Sequence, residues 1–350
     1  MKELKVQAKG ALTRIRLKRF HLIHRKQARN ALRIIERQKG KTNRKNITLA
    51  DAYAREVLGS KIYAPWLYVY AAYRGDFREG WIPDNYYGEV VVPKIQGDYG
   101  KLSFNNLLSN SFFNTARFPD MAYYVNGQWF SKDLQPIQAA ELLQIVFSNG
   151  AILFKTDHSF QGKGVHLFEK KDFNLETIQR LGNGVFQKFI RQHPFFDDFG
   201  IGATATIRIT TIVNANCEVY CRAAYLRMGR KGETHVLSHT QVKVAIDITS
   251  GKLLEEGHLS SWESLKCHPD TQIEFHGKTI PHFENAVALC QELHSRAIYI
   301  GAIGWDVAID AFGEVYLLEW NGFHNDIKYS EATQGPCFAD LGWEHLWKTE

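Results

Sequence analysis

Residues 304–323 read GWDVAIDAFGEVYLLEWNGF. Two apolar, β-prone runs, Val307 to Ile309 and Val315 to Leu318, flank a turn at Phe312-Gly313, the pattern of a β-hairpin. Folding brings Asp306, at the start of the hairpin, back beside Glu319 and Asn321 at its end. Glu319 and Asn321 stand two apart on an extended strand, so their side chains point the same way. Two carboxylates and an amide oxygen then converge. Such a hard-oxygen set suits Mg²⁺, which takes one or two carboxylates and shares the rest of its shell with water and nucleotide phosphates. The stretch therefore predicts a protein that uses ATP.

Upstream lie groups suited to those phosphates. Lys155 is the one charge in the apolar run Ile152-Leu153-Phe154-Lys155. A mid-strand Lys either sits at a solvated edge or reaches into a cleft. The loop Ser159-Phe160-Gln161-Gly162-Lys163-Gly164 follows, and a return strand spans Val165 to Phe168. Gly162 and Gly164 let backbone N–H groups approach an anion closely, and Lys163 adds charge. A lone Gly-x-Gly ends many hairpins, whereas strand Lys, loop and return strand together set a cation and backbone donors over one anion. Gln187-Lys188-Phe189-Ile190 reads as a strand running into a linker whose backbone groups suit a base edge. Arg208 faces opposite to Ile207 and Ile209, either toward water or into a cleft.

The 350 residues are 45% hydrophobic and 23% charged, ordinary for a globular protein and enough for two or three lobes. No run of about 18 apolar residues exists, so no membrane span is expected, and no apolar leader with a cleavage site opens the chain. Cys217, Cys221, Cys267, Cys290 and Cys337 show no CxxC spacing. That argues against a disulfide framework or a zinc site and for a cytoplasmic location, with room for peripheral attachment at the inner face of the membrane. The net charge of +6 hides an asymmetry. Residues 1–46 carry 16 Lys/Arg against Glu3 and Glu36, a net of +14, while the remainder carries 27 Lys/Arg and 35 Asp/Glu.

Residues 2–38 contain no Pro and only Gly10, and Leu12, Ile15, Phe20, Ile23, Leu32 and Ile35 recur between Arg and Lys. This is a basic amphipathic helix with three open roles: docking on its own body through one apolar stripe, meeting an anionic membrane surface or a protein partner, or contacting nucleic acid. The absence of interleaved aromatics disfavours nucleic acid.

Residues 47–75 read as helical. Residues 76–100, rich in Gly, Pro, Asp and Tyr, read as irregular structure or short strands around Val90-Val91-Val92. Leu102 to Leu108 reads as helix and Ala122 to Val125 as strand. Gln135 to Phe147 reads as a helix with Pro136 near its first turn. Ala205 to Val213 alternates and pairs plausibly with Val219 to Leu226, and Glu284 to Ala297 is a helix. Strand pairs with few helices predict an α+β fold with antiparallel sheets. The expected divisions are a basic helical arm (1–46), an N-terminal α/β region (47–150), a small lobe with the Gly-rich loop (151–195) and a C-terminal lobe with the metal and substrate site (196–350).

In this order, a strand Lys, a small Gly loop, a Gln-x-x-Ile hinge, a strand Arg, then Asp-x12-Glu-x-Asn, the chain resembles the ATP-grasp superfamily. It is most similar to the sugar-transfer-associated ATP-grasp subfamily, through Gln187-Lys188-Phe189-Ile190-Arg191-Gln192-His193-Pro194 and Thr206-Ile207-Arg208-Ile209-Thr210-Thr211, over roughly residues 100–330. The resemblance implies two α+β lobes gripping ATP. It implies Lys155 on the α/β-phosphates, Gln161, Gly162, Lys163 and Gly164 closing over the β/γ-phosphates, and Gln187, Lys188, Phe189 and Ile190 holding adenine. Arg208 would stabilise the transferring phosphoryl group, and Asp306, Glu319 and Asn321 would bind Mg²⁺. It further implies a ligase that activates a small-molecule carboxylate as an acyl phosphate for attack by an amine, in cell-surface polysaccharide or related small-molecule synthesis. Positioning and charge neutralisation suffice for that chemistry. The chain departs from the family pattern in three places. Lys101, Asn105 and Asn106 stand near where members often carry a second phosphate-binding Lys, Gln187 replaces the usual Glu, and Ser238 to Ala245 replaces an Asn and a Gly-Gly pair beside the acceptor site.

No HExxH, GxSxG or Walker A motif occurs. His239, His324 and Lys328 are the candidate acceptor-binding residues. Two other classes stay open: a phosphotransferase acting on a sugar or alcohol, with His324 or Asp326 as base, and a non-catalytic interaction protein working through the basic arm.

Overall fold

The computed structural model describes residues 2–148, 150–157, 164–200, 202–233 and 235–348, with side chains from residue 11 onward. The chain forms two units, one of Gln96–Ser260 and Leu265–Asn325, the other of Met1–Ile95, Ser261–Ser264 and Asp326–Glu350.

The first of these units contains two sheets. One is built from β1 (Asp120–Val125), β2 (Gln128–Ser131), β3 (Pro136–Ile137), β4 (Ile152–Thr156), β5 (Val165–Phe168) and β6 (Gly184–Lys188), in the order β3-β2-β1-β6-β4-β5. The other contains β7 (Thr206–Val213), β8 (Val219–Met228), β9 (Val242–Ile246), β10 (Leu253–Leu259), the short β11 (Ser264–Leu265), β12 (Ala302–Ile309) and β13 (Val315–Asn321), in the order β11-β10-β9-β8-β7-β12-β13. The pairings β1–β2, β1–β6, β4–β5, β4–β6, β7–β8, β8–β9, β7–β12 and β12–β13 are all antiparallel, as the alternating sequences predict.

Each sheet buries one face under helices. Leu142 and Val146 of the helix Ala139–Val146 and Ile178 of Leu175–Leu181 join Ala122, Phe154 and Phe186 in one core. In the other, Ala286, Cys290 and Leu293 of the helix Phe283–Ser295 join the apolar side chains of β7, β8 and β12. Trp320, between two candidate metal ligands, belongs to this second core. It is buried, stacks on Phe112 with centroids 5.3 Å apart, and donates to Ser109 Oγ at 3.2 Å. Strand alternation thus turns Trp320 inward and its neighbours Glu319 and Asn321 outward.

A buried polar chain crosses this core. Trp305 Nε1 donates to Thr211 Oγ1 at 2.8 Å, and that hydroxyl lies 2.7 Å from His294 Nδ1. His294 Nε2 faces the Ile300 carbonyl at 2.6 Å, which assigns the proton to Nε2. Burial lowers the His294 pKa from 6.5 to about 4. The unfolded chain therefore takes up this proton first. Stability from the neutral imidazole is complete above pH 6.5 and is lost as pH falls toward 4, by about 3 kcal/mol. We expect the urea midpoint to drop between pH 7 and 4.5, with a shallower drop in His294→Gln.

Several boundaries differ from the sequence reading. The predicted helix from Gln135 begins only at Ala139, because Pro136 and Ile137 pair with β2. Pro136 is tolerated there because β3 is the sheet edge. Residues 76–100 are largely helical turns rather than short strands: Asp84–Tyr86, Tyr87–Val91, Val92–Ile95 and the start of Tyr99–Phe104. Tyr86, Tyr87, Val91 and Val92 are all buried, so packing overrides the β preference of the Val run. The predicted helix from Leu102 to Leu108 is two 3₁₀ turns, Tyr99–Phe104 and Asn106–Leu108.

The division at 150/151 separates β1–β3 from the sheet they share with β4–β6. Residues 1–46 are not a separate arm either. The helix Lys2–Lys39 packs on Ala64–Arg74 within its unit, burying His21, His24, Ala28, Ala31 and Ile35. Those positions repeat at steps of three and four, the docked stripe of a helix. Of the predicted stripe only Ile35 is fully buried, while Leu12, Ile15 and Ile23 are exposed.

Candidate active site

Strand register assembles the site. Asp306 on β12 is the cross-strand partner of both Arg208 on β7 and Glu319 on β13, so the three project from one face. Arg208 Nε donates to Asp306 Oδ1 at 2.5 Å and Arg208 Nη2 to Oδ2 at 3.1 Å. Arg227 on β8 adds a third bond, Nη2 to Oδ2 at 2.7 Å, and its Nε holds Thr206 Oγ1 at 2.9 Å. Gly304 makes room for this cluster. A Cβ there would stand 3.3 Å from Arg208 Cδ and Nη1 and 2.8 Å from Asn325 Cβ.

A β-bulge joins the two sheets. Asp306 opposes Glu319 but Val307 opposes Leu317, so Leu318 is the extra residue in β13. The Leu318 carbonyl accepts from Lys155 Nζ, on β4 of the other sheet, at 3.0 Å. The strand Lys of the sequence reading therefore reaches the β12–β13 hairpin rather than a solvated edge.

Charge is unevenly compensated here. Burial works to raise the Asp306 pKa, but Arg208 and Arg227 overcome it and hold the carboxylate below its ordinary value. Burial works against charge on Arg208, and Asp306 reverses this so that the guanidinium stays ionised. Glu319 behaves oppositely. It is enclosed by protein on most sides, yet its side chain remains open to water. That enclosure and the Asp306 charge raise its pKa, against the pull of Lys155, Arg208 and Arg227. Desolvation lowers the Lys155 pKa, opposed by Glu319, Asp120 and Asp306.

Asn321 follows on the Glu319 side, its Nδ2 donating to the Gly304 carbonyl at 3.3 Å. Asp306, Glu319 and Asn321 thus share one end of the hairpin, as predicted. Gln187 is paired with Asp120 across β6 and β1, and its Nε2 donates to Asp120 Oδ1 at 2.8 Å. Tyr123 and Asn110 also donate to Asp120, whose pKa burial raises. Lys188 Nζ lies 5.6 Å from the centre of the Tyr316 ring. Phe189 and Ile190 leave the first sheet after Lys188, and three residues later the His193 N–H bonds the Ile309 carbonyl on β12. The hinge stretch therefore crosses from one sheet to the other.

Gln161, Gly162 and Lys163 lie outside the described residues. Gly164 accepts from the Thr156 N–H at 3.0 Å. His239 is exposed on a turn, and His324 is half-buried just past β13. Lys328 belongs to the other unit, where it pairs with Asp326 at 2.5 Å and Asp84 at 3.4 Å. Lys101 is an exposed partner of Asp98.

Sequence reading missed Arg227, Asp120 and Lys243. Arg227 is the cross-strand partner of both Thr206 and Lys243, so two further cations share the Arg208 face. A single signal was available: Arg227 continues the alternation of β8 past Leu226.

Two antiparallel sheets joined at a cation–carboxylate cleft are the features of an ATP-grasp fold. The chain belongs to the sugar-transfer associated ATP-grasp family, whose profile matches residues 114–336. No curated protein matches the sequence. Among solved structures, it is similar to biotin carboxylase of Campylobacter jejuni in its β,γ-ATP complex (13% identity, TM-score 0.45, 91% of this chain and 67% of that one). It is also similar to N5-carboxyaminoimidazole synthetase of Staphylococcus aureus complexed with ADP (14%, 0.45, 72% and 53%). A third is the biotin carboxylase domain of Hydrogenobacter thermophilus 2-oxoglutarate carboxylase with MgADP and bicarbonate (13%, 0.43, 70% and 45%). The chain spans about half the length of the last two.

The residues fit the groups this family implies. With its amide nitrogen fixed on Asp120, Gln187 keeps Oε1 buried and without a hydrogen-bond partner among the described residues. That orphaned acceptor suits an exocyclic amine such as that of adenine. Asp306 has four lone-pair positions and three are occupied, leaving one on Oδ1 for a metal. Among the described residues the Glu319 carboxylate makes no hydrogen bond, so its oxygens are available to a metal.

Proposed function

We propose that the chain is an ATP- and Mg²⁺-dependent ligase that joins a small-molecule carboxylate to an amine, releasing ADP and phosphate. Asp306, Glu319 and Asn321 would hold the metal, which supplies charge neutralisation at the transferring phosphoryl group. Lys155 would bind the nucleotide phosphates and Gln187 to Ile190 the base. An oxygen of the acid attacks the γ-phosphorus and ADP leaves. The amine then attacks the acyl carbonyl, phosphate leaves and the amine gives up its proton.

The observation that carries this reading is the face formed by Arg208, Arg227 and Lys243 beside Glu319, whose pKa burial and the Asp306 charge raise despite nearby cations. Cations there attract an acceptor that is already anionic. A carboxylate needs no base to become a nucleophile, and Asp306, tied to two guanidinium groups, would be a poor one. The family's association with sugar transfer supports substrates from polysaccharide or related small-molecule synthesis.

The test is ADP release with amino acids and other amines supplied against uronic and other acids. We expect ADP, phosphate and an amide in equal amounts, with both substrates required. ADP release with a sugar or alcohol alone, leaving a phosphorylated product, would establish the phosphotransferase instead. Lys155→Ala is expected to weaken nucleotide binding about tenfold or more, the loss of one charge-assisted hydrogen bond, measured by calorimetric titration.

A further inference from the structure

A groove of about 740 Å³ lies in the unit that includes the N-terminal helix, between that helix and residues 61–68. Its helix wall is the stripe Lys18, Leu22, Arg25, Arg29 and Leu32, and Ile62, Pro65 and Tyr68 face it. The stripe spans about 21 Å at the helical rise per residue. Leu22 is 64% exposed and Ile62 44% exposed, so the apolar floor is open.

On the helix side the rim is basic. Lys18, Arg25 and Arg29 make no ion pair among the described residues. Between Leu4 and Ile35 the sequence has ten Lys/Arg and no Asp or Glu. Lys61, at the far wall, is held by Asp51 at 2.7 Å. The three helix cations are therefore the free charges, standing beside an apolar channel. Leu12, Ile15 and Ile23, also exposed, extend the mixture of aliphatic and basic side chains along the helix.

We propose that this groove seats one anionic phospholipid, its acyl chain along Leu22, Leu32, Ile62 and Pro65 and its phosphate against Arg25 and Arg29. An acidic helix from a protein is the other occupant that charge allows. Composition favours the lipid: exposed aliphatics interspersed among Lys and Arg are what settles into a lipid head-group layer. This inference is independent of the ligase reading.

The test uses the full chain and two probes: vesicles of phosphatidylcholine with or without phosphatidylglycerol, and monomeric dihexanoylphosphatidylglycerol. We expect sedimentation with the anionic vesicles at least tenfold stronger than with pure phosphatidylcholine. We expect saturable binding of one short-chain lipid per chain. Arg25→Gln with Arg29→Gln should weaken both at least tenfold, given roughly fivefold per basic residue near an anionic surface. Ile62→Glu should remove short-chain binding. Arg25, Arg29 and Ile62 are exposed, so an unchanged circular dichroism spectrum and thermal midpoint check the fold. Equal binding to phosphatidylcholine, no loss in the double variant, or inorganic phosphate competing as well as the lipid would overturn the proposal. So would displacement of the lipid by a Glu-rich amphipathic peptide that binds more tightly, which would identify a protein surface.

Discussion

Glu319→Gln is expected to abolish ADP release, by at least about a thousandfold, while leaving the thermal midpoint unchanged or higher. The two halves of this result have one cause. In the protein without metal, Glu319 faces the Asp306 carboxylate across the hairpin, and its pKa is raised by its surroundings and by that charge. A carboxyl whose folded value lies above its unfolded value of 4.5 contributes stability below that pH and loses it as pH rises. At neutral pH the ionised group is thus held at a cost, which Gln removes. Water reaches the side chain, so the gain is damped by screening. The same charge is what would hold a divalent cation against the nucleotide phosphates, and its loss would remove about 4 kcal/mol or more of transition-state stabilisation. ADP release and differential scanning calorimetry at pH 7.5 read the two effects. A variant that loses stability but keeps turnover would refute the metal role of Glu319.

This arrangement was partly legible in the sequence because a hairpin needs only local rules. Alternation and the Phe312-Gly313 turn bring Asp306 and Glu319 to the same end of the hairpin before any tertiary contact is known, and the bulge at Leu318 makes them direct partners. Alternation also turned Arg208 away from Ile207 and Ile209. What lay beyond reach depends on register between distant segments. The extra residue at Leu318 exists only relative to β12, and its carbonyl matters only because β4 delivers Lys155 to it. Arg227 reads as an ordinary strand charge until β8 is aligned with β7 and Asp306 is found within 2.7 Å. The N-terminal helix illustrates the opposite error. Its Leu and Ile residues look like the docked stripe, yet of these only Ile35 is fully buried, beside Ala28, Ala31 and two histidines, since small residues allow close approach to Ala64–Arg74.

Asp306→Ala is expected to lower stability by about 3–5 kcal/mol, in contrast to its neighbour on the same hairpin. Removing this carboxylate leaves Arg208 buried with the Asn325 carbonyl at 3.2 Å, and Arg227 with Thr206 Oγ1 alone. The two guanidinium groups then lose their ion-paired carboxylate and keep only the longer-range attraction of Glu319. The sign with pH also differs from Glu319. The folded pKa of Asp306 lies below its unfolded 3.8, so its stabilisation is complete above that value and vanishes as pH falls through the folded one. The stability gap between wild type and Asp306→Ala should accordingly stay constant from pH 7 to 5 and narrow only in strong acid. Arg208→Met placed on Asp306→Ala should recover part of the loss, because it removes the buried charge that Asp306 no longer balances. Urea denaturation of the four proteins measures the coupling directly. Equal, small losses for Asp306→Ala and Glu319→Gln would show that the two carboxylates are interchangeable, and the division into a structural anion and an open ligand would fall.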